Sequence, residues 1–304
     1  MKHKFKPLLL FLLTAVLFAA ALPAEAKGDV PKRPTVLLIL DGFGLSDQTE
    51  HNAVALADTP VLDRLMTECP FVKGEASGLA VGLPEGQMGS SEVGHLNIGA
   101  GRVVYQDLVR ITNAIEDGSF FENKALLAAI SNAKERRTGL HILGLVSDGG
   151  VHSHNAHLYA LLELARREGL DKVYVHCFTD GRDTLPESGI DYIRQLEDEM
   201  KRIGCGQIAT VGGRYYGMDR DNRWDRVQLA YRALTLGEGE TASSAAEAVT
   251  QSYAKGETDE FIRPTVVMKD GAPVATVGDG DSVIIYVHPK TSIPVSWLFV
   301  WPHR

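Results

Sequence analysis

Residues 86–101, GQMGSSEVGHLNIGAG, place two adjacent serines, Ser90 and Ser91, just before a glutamate and an apolar run. Two readings of the pair stand side by side. A serine ahead of Glu92 fits a helix N-cap, whose hydroxyl accepts a backbone N–H of the first turn. A serine at a helix start also meets free N–H groups and the positive end of the helix dipole. An alkoxide is stabilised there, and a phosphoryl group placed on it finds donors waiting. Serine is a weak nucleophile by itself and needs a base or a metal. No Gly-x-Ser-x-Gly elbow occurs in the chain, so a metal is the better source of activation. Asp41, in LILDGFG, is the nearest candidate oxygen ligand.

Residues 151–157, VHSHNAH, hold His152, His154 and His157. Their spacing does not put all three on one helical face, and a strand would pair only the first two. A three-histidine zinc site is therefore not expected, whereas a single histidine donating into a cleft is. Arginines follow in TDGRDTLP (Arg182, beside Asp183) and GGRYYGMDR (Arg214, Arg220), with Arg223 just after. Guanidinium forks match carboxylate and phosphate oxygens, so this set points to a small anionic substrate. Surface pairing with Asp219, Asp221 and Asp225 is the plainer reading, and it suits Arg223. Arg182 and Asp183 together offer an anion clamp beside a carboxylate able to move protons.

The elements that must position these groups alternate. Short apolar runs at residues 35–40, 140–146, 173–178 and 207–211 read as buried strands, each ending in a Gly-containing polar loop. Helical spacing marks residues 59–66, 107–115, 124–133, 157–168, 190–203 and 224–236. This pattern predicts an α/β fold with a mainly parallel sheet and right-handed crossovers. In such sheets polar residues gather at the carboxyl ends of the strands, where Asp41, Asp183 and Arg214 would lie.

The whole chain has 304 residues and a net charge of −8, which argues against a broad nucleic-acid surface. Three cysteines (Cys69, Cys177, Cys205) are too sparse for a disulfide framework and read as reduced, mostly buried thiols. Residues 1–26 have a basic start, an apolar run and Ala24-Glu25-Ala26, the layout of a cleaved secretory signal. No later segment approaches membrane-spanning length.

Taken together, LILDGFG, LPEGQMGSSEVGHLNIGAGR, SDGGVHSH, FTDGRDTLP and GGRYYGMDRDNRW resemble the cofactor-independent (2,3-bisphosphoglycerate-independent) phosphoglycerate mutases of the alkaline-phosphatase-like superfamily. The matching segments run from about residue 33 to about residue 282. The resemblance implies that Ser91, following Met-Gly-x, accepts the phosphoryl group of 3-phosphoglycerate and returns it to the other hydroxyl, giving 2-phosphoglycerate. It implies two Mn²⁺ or similar ions, with Asp41 and Ser91 as metal ligands. By the same resemblance His152, Arg182, Asp183, Arg214 and Arg220 bind substrate, and Asp183 carries the glycerate proton. Residues 27–105 would begin a three-layer, metal-bearing phosphatase-like domain, and residues 106–282 would be an inserted α/β glycerate-binding domain. A monomer, no nucleic-acid partner and no membrane span after cleavage are expected.

The chain departs from that family in two ways. The second part of the phosphatase-like domain, with most metal ligands and a phosphate-binding lysine, is not found in it. Where an Arg-Pro-Asp-Arg element should follow, residues 283–304 read VIIYVHPKTSIPVSWLFVWPHR, with no acidic residue, and a frameshift after Val283 is the expected reading. Export would also separate the chain from the cytoplasm, where the family works. The expectation is therefore mutase descent with little or no activity of this chain alone. The alternatives are a non-catalytic binder of small phosphorylated acids and an exported metal-dependent phosphatase.

Overall fold

The computed structural model describes residues 34–287 and the backbone of residues 298–300. Residues 1–26, expected as a signal, and most of residues 283–304, expected as a frameshifted tail, lie outside the described residues. The chain divides into two compact units, one ending at Asp63 and the other running from Arg64.

In the first unit a four-residue helix, α1 (Ala53–Leu56), is capped by the Asn52 side chain, which accepts the Ala55 N–H. Helix α2 (Pro60–Glu68) begins there with proline at its first position, where the missing N–H costs nothing. Residues 35–40, expected as a buried strand, form no strand. Val36, Leu37 and Leu38 are 83%, 71% and 76% exposed. The physical reason is pairing: an apolar strand is stable only when neighbours satisfy its backbone and cover both faces. Among the described residues no strand does this for residues 35–40.

The second unit contains the sheet. Its strands are β1 (Leu140–Leu145), β2 (Val173–Thr179), β3 (Gln207–Gly213), β4 (Glu240–Ala242), β5 (Thr265–Lys269), β6 (Ala272–Pro273), β7 (Ser282–Ile285) and β8 (Leu298–Val300). The order is β4-β5-β3-β2-β1-β7-β8, with β6 beside β5. The central run β3-β2-β1-β7 is parallel, and β5 and β8 join it antiparallel. The fold is thus α/β with a mostly parallel sheet. Leu140 sits opposite Val173 on one side and Ser282 on the other, so β1 is interior and all six of its residues are buried.

Helices carry the chain between parallel neighbours, as such pairs require. Before β1 come α3 (Ser91–Ala100), α4 (Asp107–Asp117) and α5 (Lys124–Arg136), the last capped by Asn123. Helix α6 (Asn155–Arg167) connects β1 to β2, and α7 (Gly189–Ile203) connects β2 to β3. Leu158, Leu162, Leu164, Ile193 and Leu196 on these crossovers are fully buried with Ile142, Val173 and Val175 of the sheet. Helices α8 (Arg214–Gly217), α9 (Trp224–Leu236) and α10 (Ala245–Ala254) complete the unit. The helical and strand positions expected from residue 107 to residue 236 all appear, with ends moved by at most two or three residues. Cys177 and Cys205 are buried and Cys69 is exposed, all as free thiols.

A buried polar chain crosses the sheet at right angles to its strands. The Asp281 carboxylate accepts the Gly139 N–H at 2.6 Å and lies 3.2 Å from His141 Nε2. His141 Nδ1 is 2.9 Å from His176 Nε2, and His176 Nδ1 is 2.9 Å from Thr210 Oγ1. With Asp281 ionised, the protons take one consistent order: Thr210 donates to His176, His176 to His141, and His141 to Asp281. Both rings are neutral in that order. Burial pushes the pKa of His141 down, opposed in part by Asp281, and burial followed by His141 pushes His176 well below the usual histidine range. The unfolded chain therefore binds more protons as pH falls through the ordinary histidine pKa of about 6.5. The stability these rings contribute is complete above that pH and declines below it. Urea midpoints are expected to fall from pH 7.5 to pH 5. In His176→Asn, which cannot titrate, the slope is expected to be shallower even if the variant is less stable throughout. A flat profile for the unaltered chain would contradict the neutral assignment.

Candidate functional site

The parallel strands β1, β2 and β3 deliver their loops to one sheet edge. Ser147 and Asp148 follow β1, Asp180, Arg182 and Asp183 follow β2, and Arg214 follows β3. A cleft of about 1190 Å³ opens there, with His152, Arg182, Arg214 and Arg220 in its lining and an apolar wall that includes Phe178 and Leu234.

Arg214 is the centre of the polar network. Its Nη1 donates to Asp180 Oδ1 at 2.7 Å and to Asp183 Oδ2 at 2.6 Å. Burial opposes its charge, but the two carboxylates outweigh burial and hold the guanidinium protonated. Asp180 also accepts the Arg182 and Asp183 N–H groups, at 3.2 and 2.9 Å, and the Ser147 hydroxyl at 2.7 Å. Burial alone would raise this carboxyl. The four donors together win, and its pKa lies below the usual carboxylate value. His152 Nε2 stands 3.8 Å from Asp183 Oδ2, and Arg182 Nη1 stands 3.8 Å from Glu260. After β1, Asp148 accepts the Tyr192 hydroxyl, and burial followed by that carboxylate pushes the hydroxyl up to about 12.

Backbone packing keeps these loops close. A Cβ on Gly213 would fall 2.1 Å from the Glu260 carbonyl oxygen, so only glycine lets β3 end against that segment. The buried Asp259 accepts the Gly189 N–H at 2.7 Å and the Tyr253 hydroxyl, and its carbonyl accepts Thr179 Oγ1 at 2.7 Å. The loop that carries Arg182 and Asp183 is thereby tied to the start of α7. Arg226 stacks 3.8 Å over the Tyr215 ring and reaches Asp219 at 3.4 Å, bracing the loop with Arg220.

The cap reading of the serine pair falls on Ser90. Ser90 is the N-cap of α3, its hydroxyl accepting the Val93 N–H at 3.4 Å. Ser91 is the first helical residue and is exposed. The segment around them is pinned by Asn97, which donates to the Val81 carbonyl and accepts the Val104 N–H.

His152, Arg182, Asp183 and Arg214 are thus brought into mutual contact or onto one cleft, with Arg220 on its lining. Ser91 is not in that lining, and Asp41 lies in the other compact unit. His154 caps α6 through Nδ1, and His157 Nε2 meets Thr112, so the three histidines of VHSHNAH serve separate ends. Asp180, Ser147 and Glu260 were not singled out from sequence. For Asp180 a signal existed: it is the residue immediately after β2, in the same TDGRD that holds Arg182 and Asp183.

In mostly parallel α/β sheets ligands bind in the crevice outside the carboxyl ends of the strands, where this arginine-lined cleft lies. The family described as "BPG-independent PGAM N-terminus" matches residues 111–288, and the chain belongs to it. The 2,3-bisphosphoglycerate-independent phosphoglycerate mutase of Lachnoclostridium phytofermentans is 63% identical over 84% of this chain and 50% of its own length. The enzyme of the same description from Clostridium perfringens is 62% identical over the same shares. A phosphoglycerate mutase of Leishmania mexicana, solved at low cobalt concentration, superposes with a TM-score of 0.65. It is 34% identical and is matched over 82% of this chain and 47% of its own. The chain spans about half the length of the curated relatives it matches.

The donor set does not fit a two-ion centre. Among the described residues no three His, Cys, Asp or Glu side chains gather where they could hold a metal. Asp41 and Ser91 supply one carboxylate and one hydroxyl, whereas each divalent ion takes about six ligands. For the cleft itself, Gly213→Ala is expected to lower unfolding stability by about 1–3 kcal/mol in urea titrations, by pushing β3 off the Glu260 carbonyl. Gly213 has φ −67°, so any residue fits its backbone; Gly74→Ala, where no atom opposes the new methyl, is the control for adding a methyl alone.

Proposed function

We propose that this chain carries the substrate-handling part of a phosphoglycerate mutase and binds 3-phosphoglycerate and 2-phosphoglycerate in the cleft. The observation that carries this reading is the buried Arg214, charged between two aspartates and sharing one cleft with Arg182, Arg220 and His152. Guanidinium groups from separate loops suit a ligand with a carboxylate at one end and a phosphate at the other. Asp183, against Arg214 and near His152, is placed to hold a glycerate hydroxyl proton.

In a complete enzyme Ser91 would take the phosphoryl group and return it to the other glycerate oxygen. The Ser90 cap supports this role by fixing the helix start at which Ser91 lies. We assign residues 27–105 to a metal-bearing phosphatase-like domain and residues 106–282 to the glycerate-binding domain. The two Mn²⁺ ions implied by the family would need ligands beyond those described, so residues 34–287 alone bind without turnover. The exposed apolar run 36–38 supports the same view, since its sheet partners are not among the described strands. The signal-like start makes export our reading of location, and a monomer our reading of assembly.

Calorimetry of the purified chain with 3-phosphoglycerate, with and without Mn²⁺, tests this. Saturable binding is expected, weakened about tenfold or more in Arg214→Ala, the loss typical of a charged hydrogen bond. No 2-phosphoglycerate is expected to form. Turnover abolished by Ser91→Ala would show an autonomous mutase instead, and release of inorganic phosphate would show a phosphatase.

A further inference from the structure

Arg214 Nη1 is shared by two carboxylates that are not equivalent. Asp180 is sealed from water, its side chain 1% exposed. Its two oxygens take donors from three strands' ends: Ser147 after β1, the Arg182 and Asp183 N–H groups after β2, and Arg214 after β3. Asp183 is 18% exposed, stands 3.8 Å from His152 of the cleft lining, and meets the same nitrogen. We propose that Asp180 is the positioning residue of this site, fixing Arg214 and the 182–183 backbone, and that Asp183 is the partner an incoming anion exchanges for on the Arg214 guanidinium. The inference rests on the reading of the cleft as a phosphoglycerate site.

The asymmetry follows from desolvation. Parting Arg214 from Asp180 strands a buried anion and disturbs a hydroxyl and two backbone N–H groups that share its oxygens. Parting it from Asp183 releases a carboxylate that water and His152 can receive. A ligand carboxylate or phosphate therefore replaces Asp183 at lower cost, and Arg214 keeps its orientation through Asp180 while it does so. Asp183 is then left beside the bound ligand, detached from the guanidinium, where a base for a glycerate hydroxyl belongs.

The two aspartates can be told apart because each carries one negative charge against one guanidinium. If they only screened Arg214, Asp180→Asn and Asp183→Asn would both tighten anion binding. The proposal predicts opposite signs for 3-phosphoglycerate measured by calorimetry. Asp183→Asn binds about tenfold tighter, having lost the competitor, and Asp180→Asn binds about tenfold weaker, each close to one charged hydrogen bond. Ser147→Ala, which changes no charge, weakens binding roughly threefold, the scale of one ordinary hydrogen bond. It keeps the test in force if Asp180→Asn does not unfold cooperatively. A second readout needs no ligand: the slowly rotating Arg214 guanidinium protons, seen by NMR after ¹⁵N-arginine labelling, persist in Asp183→Asn and average out in Asp180→Asn.

Tightening in both aspartate variants, or a Ser147→Ala chain that binds like the original, overturns the proposal. So do Arg214 signals that survive Asp180→Asn unchanged. If the unaltered chain binds no 3-phosphoglycerate while those signals behave as expected, the phosphoglycerate reading and the exchange fall, and the anchoring role of Asp180 stands.

Discussion

A guanidinium buried between two carboxylates is the constraint around which this site is built. Taking three charges out of water is costly, and the cost is met only where geometry and further hydrogen bonds are good. Arg214 is 5% exposed, and its contacts to Asp180 and Asp183 are short. That arrangement survives because Asp180 is not left as a bare anion: Ser147 and two backbone N–H groups complete its shell. Each of these donors comes from a loop that a parallel strand delivers to the same edge. The ion triad and the strand order are therefore one fact seen at two scales.

The sheet supports that edge from below. Its interior strands are apolar on both faces, yet one polar chain, from Asp281 through His141 and His176 to Thr210, runs across β1, β2 and β3. Every member has a partner, which is the condition under which buried polar groups specify packing rather than weaken it. Asp259 acts similarly beneath the cleft, where its main chain and side chain tie the loop after β2 to α7 and to Tyr253. Loops that present charged groups to ligand are thus anchored by buried polar residues one step behind them.

The segment before residue 64 is different. Its apolar residues 36–38 face outward, and Asp41 sits just beyond them. Among the described residues no strand pairs with this run, so its apolar side chains stay exposed. The chain matches about half the length of its relatives, and the arginines are presented by the loops of the paired strands β2 and β3.

Local sequence determined much of this protein. Hydrophobic period and loop chemistry located the helices and strands from residue 107 to residue 236, because those elements carry their own apolar faces and caps. The motifs TDGRD and GGRYYGMDR placed Arg182, Asp183 and Arg214 at strand ends, since an α/β sheet leaves few other places for such residues. Sequence could not say that residues 35–40 would stand unpaired, because a strand's existence depends on partners remote in the chain. Nor could it separate Ser90 from Ser91 by chemistry alone, or rank Asp180 against Asp183. Those distinctions are matters of which hydroxyl turns toward a backbone N–H and which carboxylate is sealed from water. The Ser90 cap is settled within one helix start, whereas the sealing of Asp180 arises only when β1, β2 and β3 are laid side by side, so tertiary structure decided it.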